Sequence, residues 1–253
     1  MAKYDFPTEV IDLPSKGKPY PESSPLSKGS VEIKYMTAKE EDILASQNLI
    51  RRGVVLDKLF ESVVVDEGID IGDILIGDKN AILLATRILG YGKDYQVEVS
   101  DPFTLEQQKV IIDLSKVQTK DIDEDNISKD NRYSFTLPHS KIEIVFKLLN
   151  HKDEIDINAE IASLQRLTKS DVNQEVSTRL RYMVQKVDDN DDRGFINKWV
   201  KNSLLARDSR ALRKYVQSIS PDLDLKYEFV SEITGEQEAL DIPFGIGFFY
   251  PSE

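Results

Sequence analysis

The segment between Pro7 and Gly53 constrains the fold of this chain more than any other stretch of its sequence. Its first part holds four prolines, at positions 7, 14, 19 and 21. Each proline removes a backbone donor and disfavours helix in the residue before it. We therefore predict an irregular arm over residues 7–21, with a turn around Gly17, and then a short strand at residues 31–35.

A capped helix is predicted to follow the arm, over residues 37–52. Thr37 has the hydroxyl of an N-cap residue, and Glu40 stands three positions later, where its carboxylate completes a capping box. Acidic residues fill the first turn and arginines the last, an order that suits the helix dipole. Gly53 then supplies the left-handed residue at which helices commonly stop.

The composition describes an ordinary globular chain with an acidic surface. Of its 253 residues, 40% are hydrophobic and 31% are charged, and the formal net charge is −12. An acidic surface disfavours non-specific binding to nucleic acid, because the phosphate backbone requires basic partners. Since the chain has no cysteine, it cannot form disulfides, use a thiol nucleophile or bind zinc through thiolates.

The sequence shows no targeting or membrane segment. No apolar run approaches the roughly 18 to 20 residues that a membrane span requires, and residues 1–7 lack the apolar core of a signal peptide. We therefore expect a cytoplasmic location, with neither a membrane nor a nucleic acid as partner.

The remaining sequence alternates helical and strand patterns. Helices are predicted at residues 56–64, 79–89 and 209–218 and over most of 156–205, with Asp78 as the cap and Gly90 as the end of the second. Strands are predicted at 91–99, as a hairpin near 133–147, and in the C-terminal stretches 225–229 and 242–251. This order predicts an α+β fold, predominantly helical, with small antiparallel β elements.

We divide the chain into four parts. Residues 1–35 form an extended N-terminal arm and short strand, 36–117 a helical and β subdomain, 118–132 an acidic loop or linker, and 133–253 a hairpin and helical subdomain with C-terminal strands. The third part is rich in Asp and Asn and nearly free of apolar residues, which is typical of a boundary or an exposed excursion.

Alternate aspartates at Asp121, Asp123 and Asp125 resemble the opening of a calcium-binding loop. Such a loop needs a glycine at its sixth position and a bidentate glutamate at its twelfth, where this chain has Asn126 and Arg132. The pattern favours a solvated loop, with a calcium-dependent binding module as the alternative.

The chain has two histidines, His139 and His151. His139 falls in the predicted hairpin turn and His151 close to a strand end, and neither has a visible serine or aspartate partner for catalysis. The aspartate cluster at 188–192 is interpreted as the cap of the helix that follows. We therefore predict no catalytic residue, no cofactor-binding residue and no metal ligand.

Two features are candidates for binding a partner. Arg207, Arg210 and Arg213 recur at helical spacing and share one surface, which is either a solvated face or a docking stripe for an acidic partner. The aromatic tail that contains Phe248 and Phe249 is either a core strand or an anchor for a partner.

Several stretches of the chain also carry a resemblance to a known family. They are Leu13-Pro14-Ser15-Lys16-Gly17, Tyr20, Met36-Thr37-Ala38-Lys39-Glu40-Glu41-Asp42-Ile43-Leu44, Gly77-Asp78-Lys79-Asn80, the helix ending at Arg87, Tyr91-Gly92-Lys93-Asp94-Tyr95, Phe135-Thr136-Leu137-Pro138, Asp208-Ser209-Arg210, Pro221-Asp222-Leu223-Asp224 and Phe248-Phe249-Tyr250-Pro251. Together they resemble the baseplate hub assembly family of T-even-like, contractile-tailed bacteriophages over nearly the whole chain.

That resemblance implies a non-enzymatic role in building the tail baseplate, through contacts with the baseplate hub or the tape-measure protein attached to it. The chain would act as a chaperone-like assembly factor in the host cytoplasm, or remain as a permanent structural subunit of the virion tail baseplate. A homo-oligomer is also left open. The arm, with Leu13, Pro14, Lys16 and Tyr20, and the helix at 36–52 are the expected contact surface or its immediate support, because a proline-set segment loses little entropy on docking.

The resemblance has one further implication, for the strands near 95 and near the C-terminus. Family members often place a cysteine pair after each of these strands, in the manner of a zinc ribbon. This chain has Ser100-Asp101-Pro102-Phe103 and Ser231-Glu232-Ile233-Thr234-Gly235 at those places. We therefore expect a degenerate, metal-free version of such a ribbon, held by hydrophobic contacts and hydrogen bonds.

Overall fold

Short antiparallel strand pairs alternate with helices along the chain, which confirms the predicted α+β class with helix predominating. The computed structural model describes residues 7–66, 68–123, 126–168 and 174–249. The helices are α1 (Ala38–Ala45), α2 (Gln47–Arg52), α3 (Val55–Val63), α4 (Ile76–Tyr91), α5 (His151–Thr168), α6 (Glu175–Met183), α7 (Arg193–Asn202) and α8 (Ala206–Ile219). None of the helices in this described part is long and apolar enough to span a membrane.

The strands form four small antiparallel sheets within the same residues. They are β1 (Thr8–Asp12) with β2 (Ser30–Lys34), β3 (Asp94–Ser100) with β4 (Gln107–Asp113), β5 (Tyr133–Thr136) with β6 (Glu143–Phe146) and β7 (Val184–Val187), and β8 (Lys226–Val230) with β9 (Gln237–Asp241). A two-stranded sheet is marginally stable alone, so the three two-stranded pairs are stabilised by contacts with helices and loops.

The predicted irregular arm contains strand β1, so that prediction was wrong in part. No proline lies between Pro7 and Pro14, so every residue of β1 keeps the backbone donor that pairing with β2 requires. The predicted turn is present. Gly17 has a φ of 76°, and a Cβ at this position would overlap the carbonyl oxygen of Ser27.

The capping box predicted for the first helix is present, but the single helix is in fact two, α1 and α2. The backbone N–H of Thr37 donates to Glu40 Oε2 at 2.9 Å, and the Thr37 hydroxyl accepts from the N–H of Lys39 at 3.3 Å. Ser46 interrupts the helix with extended backbone angles (φ −70°, ψ 102°), and serine often competes with helix in this way. Gly53 ends α2 with a φ of 68°, as predicted.

Helix α4 is longer than predicted and has different ends. It begins at Ile76, so Asp78 lies inside the first turn instead of capping it. It ends before Gly92, which has a φ of 82°. Gly90 stays helical, and a Cβ at this position would overlap the Met36 side chain.

The hairpin predicted near residues 133–147 is confirmed, with Tyr133 paired to Phe146. Strand β7 extends this sheet by pairing with β6, although its residues were predicted to be helical. Valines at both ends of β7 suit a strand, but its partner lies far away in sequence and helices flank it on both sides, so local periodicity concealed it.

The C-terminal third agrees with the prediction in α8 and β8 and differs after them. Asp192 caps α7 as expected, accepting from the N–H of Phe195 at 2.7 Å. Strand β9 was not predicted. The strand predicted at 242–251 is not formed in its described part, where Ile246–Phe249 is a 3₁₀ turn; residues 250 and 251 lie outside the described residues.

One hydrophobic cluster runs through these elements from Leu13 to Phe249. In the acidic stretch 118–132, Thr119 pairs with Leu223, a member of this cluster, and the Ile127 side chain is buried outside the cluster. The division of the chain into four parts stays a prediction.

Candidate functional site

Three donors from the arm converge on the carboxylate of Asp78, in the first turn of α4. Oδ1 accepts from the backbone N–H of Ser15 at 2.9 Å, and Oδ2 accepts from the Ser15 hydroxyl at 2.7 Å and the Tyr20 hydroxyl at 2.5 Å. The Tyr20 oxygen in turn accepts from the N–H of Leu75 at 2.9 Å. Because Asp78 is fully buried, this network fastens the arm to the start of α4.

Burial dominates the electrostatics of this network. It raises the pKa of Asp78, although the hydrogen bonds from Tyr20 and Ser15 oppose part of the rise. Burial, followed by the charge of Asp78, also raises the pKa of the Tyr20 hydroxyl. Tyr20 is therefore a neutral donor at physiological pH.

The C-terminal half of the chain meets the same end of α4. A Cβ at Gly77 would overlap the carbonyl oxygen of Pro221, so this close approach requires glycine. Asn80 donates to the Asp222 carboxylate at 3.0 Å. Three of the stretches that carry the phage resemblance, around Ser15, Gly77 and Pro221, thus meet at one end of one helix.

At the other end of α4, Arg87 holds the aromatic tail. Its Nε donates to the carbonyl of Phe248 at 2.9 Å and its Nη1 to the carbonyl of Gly92 at 3.0 Å. The guanidinium carbon lies 5.2 Å from the ring centre of Tyr91, 5.8 Å from Tyr95 and 5.9 Å from Phe248. Burial lowers the pKa of Arg87, and the surrounding π faces stabilise its charge.

These contacts place several of the predicted partner-binding residues inside the protein. Leu13, Pro14 and Tyr20 are buried in the arm, and Phe248 and Phe249 are buried in the tail. Their side chains are therefore not available on the surface to contact a partner directly. The role of these residues in binding a partner stays a prediction.

The remaining candidates are exposed. Lys16 lies at the surface of the arm turn, and Arg207, Arg210 and Arg213 all lie on the exposed side of α8. The Arg207 guanidinium approaches His139 Nε2 at 2.9 Å. Three arginines therefore present one basic face, as their spacing predicted.

A buried carboxylate anchors α8 beneath this basic face. Asp208 accepts from the backbone N–H groups of His139 at 2.8 Å and Ser140 at 3.0 Å, in the turn of the β5–β6 hairpin. Burial opposes ionisation, but these hydrogen bonds prevail and lower the pKa of Asp208. The position of the arginines relative to the hairpin is thereby fixed.

A second buried polar cluster, which the sequence did not predict, joins α3, α4 and α5. Lys79 Nζ donates to Asp57 Oδ1 and to Glu154 Oε2, each at 2.9 Å, and lies 3.1 Å from His151 Nδ1. Burial and the charge of Lys79 lower the pKa of His151. The i, i+3 spacing of His151 and Glu154 was the available signal, but their partners lie on other helices.

The same cluster has the donor set of a metal site. One ligand atom from each of Asp57, His151 and Glu154 lies within 4.8 Å of the others, and imidazole with carboxylates is a set that divalent metals accept. The Lys79 ammonium contacts all three, however, and supplies the positive charge that the carboxylates require. The geometry of the cluster is therefore that of an internal ion-pair network.

The β3–β4 and β8–β9 hairpins end in turns of the same construction. In the first, Asp101 Oδ1 accepts from the N–H groups two and three residues later, at 2.8 and 3.2 Å. In the second, Ser231 Oγ accepts from the corresponding N–H groups at 3.3 and 3.1 Å. Thr104 and Thr234 occupy the fourth position of each turn, and each hydroxyl accepts from the N–H two residues later.

A hydrogen bond joins these two turns. The Ser231 hydroxyl donates to Asp101 Oδ2 at 2.6 Å, and both side chains are buried. The first turn begins at Asp101 rather than at the expected Ser100. The four positions 101, 104, 231 and 234 have the C-x₂-C spacing of a zinc ribbon, with oxygen-bearing side chains in place of thiolates.

The calcium-loop aspartates and the two histidines do not converge on one site in the described residues. Asp125 of the calcium-loop pattern lies outside those residues, and Asp123 accepts from the Asn126 side chain at 3.4 Å. His139 meets Arg207, and His151 meets Lys79. His151 Nδ1 also lies 3.8 Å from Asp57 Oδ1, so the expectation that neither histidine has an aspartate partner was wrong for His151.

The sequence model of one family, described as T4 bacteriophage base plate protein, matches residues 6–239. Neither the curated proteins nor the solved structures contain a match to the chain. The matched residues include α1 to α8 and all of the strands except the last residues of β9. The chain therefore belongs to the T4 bacteriophage base plate protein family.

Proposed function

We propose that this chain is a non-enzymatic assembly factor of the phage tail baseplate, which binds the baseplate hub, the tape-measure protein, or both. The observation that carries the proposal is the family match over residues 6–239, which gives the chain a structural or assembly role in the baseplate. The chain would act in the host cytoplasm while the tail is being built.

The internal chemistry of the chain supports binding rather than catalysis. The buried ionisable side chains at the two ends of α4, Asp78 and Arg87, hold the arm and the aromatic tail. Lys79 and its partners join three helices. These groups are engaged in forming a rigid scaffold, and a rigid scaffold lowers the entropy cost of docking.

The basic face of α8 is the contact surface that we propose from the sequence candidates. Arg207, Arg210 and Arg213 are exposed on a chain whose net charge is −12. A local basic stripe on an acidic protein suits an acidic patch on a partner and favours one orientation of docking. The arm supports the fold from within, with Lys16 exposed at its turn.

Co-expression with the hub and tape-measure proteins of the same phage, followed by pull-down, tests this function. The wild-type chain is expected to retain at least one of them. Arg207→Glu combined with Arg210→Glu and Arg213→Glu is expected to weaken that association. The control is Lys198→Glu combined with Lys201→Glu, which reverses two exposed lysines on α7. Equal association of both variants would contradict the α8 surface.

Three further measurements separate the alternatives. Mass spectrometry of purified virions distinguishes a permanent baseplate subunit, present in stoichiometric amount, from an assembly factor that is absent. Calorimetric titration with calcium tests the binding-module alternative, and we expect no heat at millimolar calcium. Light scattering of the purified chain determines whether it is a homo-oligomer.

A further inference from the structure

The shared end of the β3–β4 and β8–β9 hairpins exposes apolar side chains that the fold does not use. Phe103 is 39% exposed, Leu105 78%, Val230 45% and Ile233 60%. We call these four residues the tip patch. Single exposed apolar residues are ordinary on a protein surface, but a contiguous group marks a site of interaction.

The hydrogen bonding of the two turns places these residues together. The N–H of Phe103 donates to Asp101 Oδ1, and the N–H of Ile233 donates to Ser231 Oγ. The Ser231 hydroxyl in turn donates to Asp101 Oδ2, which joins the two turns. A second link crosses between the hairpins, because the Gln108 side chain donates to the carbonyl of Val230 at 2.9 Å. The tip patch is therefore held on a fixed frame.

The backbone at Leu105 is strained, and contacts within the chain do not compensate for the strain. Its φ is 63°, and Gly235, at the equivalent position of the other turn, has a φ of 73°. Leucine is unfavourable in this left-handed region, whereas glycine adopts it freely. Since the Leu105 side chain is largely exposed, packing within the chain does not compensate for the strain. Strain of this kind is characteristic of functional positions.

Exposed acidic residues belong to the same two turns as the tip patch. Glu106, Glu232 and Glu236 are exposed, and they form no ion pair with the described residues. The two turns, at 101–106 and 231–236, contain no lysine, arginine or histidine. We call these three glutamates the acidic rim.

We propose that the tip patch docks into an apolar pocket rimmed by lysine and arginine on another protein of the baseplate. The apolar side chains fill the pocket, and the acidic rim steers the approach and meets the basic residues around it. This inference rests on the proposed baseplate function and names a second contact surface, opposite in charge to the basic face of α8.

Binding kinetics with separately purified hub and tape-measure proteins of the same phage test the proposal. Leu105→Gly is expected to dissociate about tenfold faster, because most effects of interface substitutions appear in the dissociation rate. Its melting temperature should equal or exceed that of the wild type, because glycine relieves the strain at this position. A purely structural role for Leu105 predicts the opposite change in stability.

Two further variants complete the experiment. Replacing Glu106, Glu232 and Glu236 with glutamine is expected to slow association several-fold at low salt and to flatten its salt dependence. Ile111→Ser is the matched control, since Ile111 is 71% exposed on the outer face of the same hairpin, away from the turn. Its rates should stay within about twofold of the wild type.

The outcomes separate this inference from the proposed function. If the wild-type chain binds neither protein, both are overturned. If it binds and Leu105→Gly binds equally well, the tip patch is overturned while the baseplate function stands. Light scattering tests whether the tip patch binds a second copy of the chain instead. A dimer that Leu105→Gly dissociates would show this and would also overturn the proposal.

Discussion

Replacing Asp78 with alanine removes the acceptor on which the arm is fastened. In the wild type, the Ser15 N–H, the Ser15 hydroxyl and the Tyr20 hydroxyl lie 2.5 to 2.9 Å from the Asp78 carboxylate oxygens. The substitution leaves all three donors without an acceptor. All of these groups belong to buried residues, so water cannot readily replace the carboxylate. The arm and the start of α4 should therefore separate more easily.

The expected cost follows from these three donors. A buried polar group left without its partner costs about 1 to 3 kcal/mol. Burial raises the pKa of Asp78, so removing the carboxylate also relieves its own desolvation. We therefore take the lower part of the range for each donor and expect a loss of about 3 to 5 kcal/mol in the free energy of unfolding, from a total of about 5 to 15 for a native protein.

Urea denaturation of Asp78→Ala at pH 7 measures this loss directly. Asp73→Ala, an exposed aspartate just before α4, is the control and should change stability by no more than about 0.5 kcal/mol. Tyr20→Phe removes one donor and should cost about 1 to 2 kcal/mol. A loss below about 1 kcal/mol for Asp78→Ala would refute the proposed fastening of the arm.

Four other substitutions probe the remaining contacts. Burial alone would raise the pKa of Glu40, but hydrogen bonds from Lys34, Ser62 and Thr37 outweigh it and lower the pKa from 4.5 to about 2. The stability that ionised Glu40 contributes is therefore present above pH 4.5 and lost as pH falls towards 2. Glu40→Gln should cost about 2 kcal/mol at pH 7 and remove this pH dependence in acid denaturation. Burial lowers the pKa of His151, so stability falls as pH drops below about 6.5, and His151→Gln should flatten this slope. Gly77→Ala should cost about 3 kcal/mol or more, because its Cβ overlaps the Pro221 carbonyl, whereas Gly245→Ala meets open space and should be nearly neutral in the same thermal scans. Joint replacement of Asp101, Thr104, Ser231 and Thr234 with cysteine should create a site for about one zinc ion, measured by elemental analysis, if the paired turns have zinc-ribbon geometry.

The elements predicted correctly are those whose signals are local. Thr37, Glu40 and Gly53 lie within a few residues of the helix ends that they specify, and the β5–β6 hairpin is set by a short turn. The break at Ser46 was missed because the strong signals at both ends of the segment concealed it. Strand β7 was missed because pairing with β6 depends on residues distant in sequence.

The buried hydrogen-bond networks could not be predicted from local sequence patterns, because they join residues that are far apart in the sequence. Asp78 has the residue type and position of a helix cap, and only the folded arm shows that its partners are Ser15 and Tyr20. The sequence around Arg87 likewise did not predict its hydrogen bond to the carbonyl of Phe248, which lies 161 residues later in the chain. Several residues that carried the resemblance, among them Ser15, Asp78 and Phe248, lie inside the fold, so their pattern gave no information about a binding surface.

The most direct test of the baseplate role is an electron-microscopic count of complete baseplates in cells infected by phage that lack this gene. The account predicts that complete baseplates are absent, and that the wild-type chain and Ile111→Ser, supplied in trans, restore them. Complete baseplates in normal number without the gene would contradict the account.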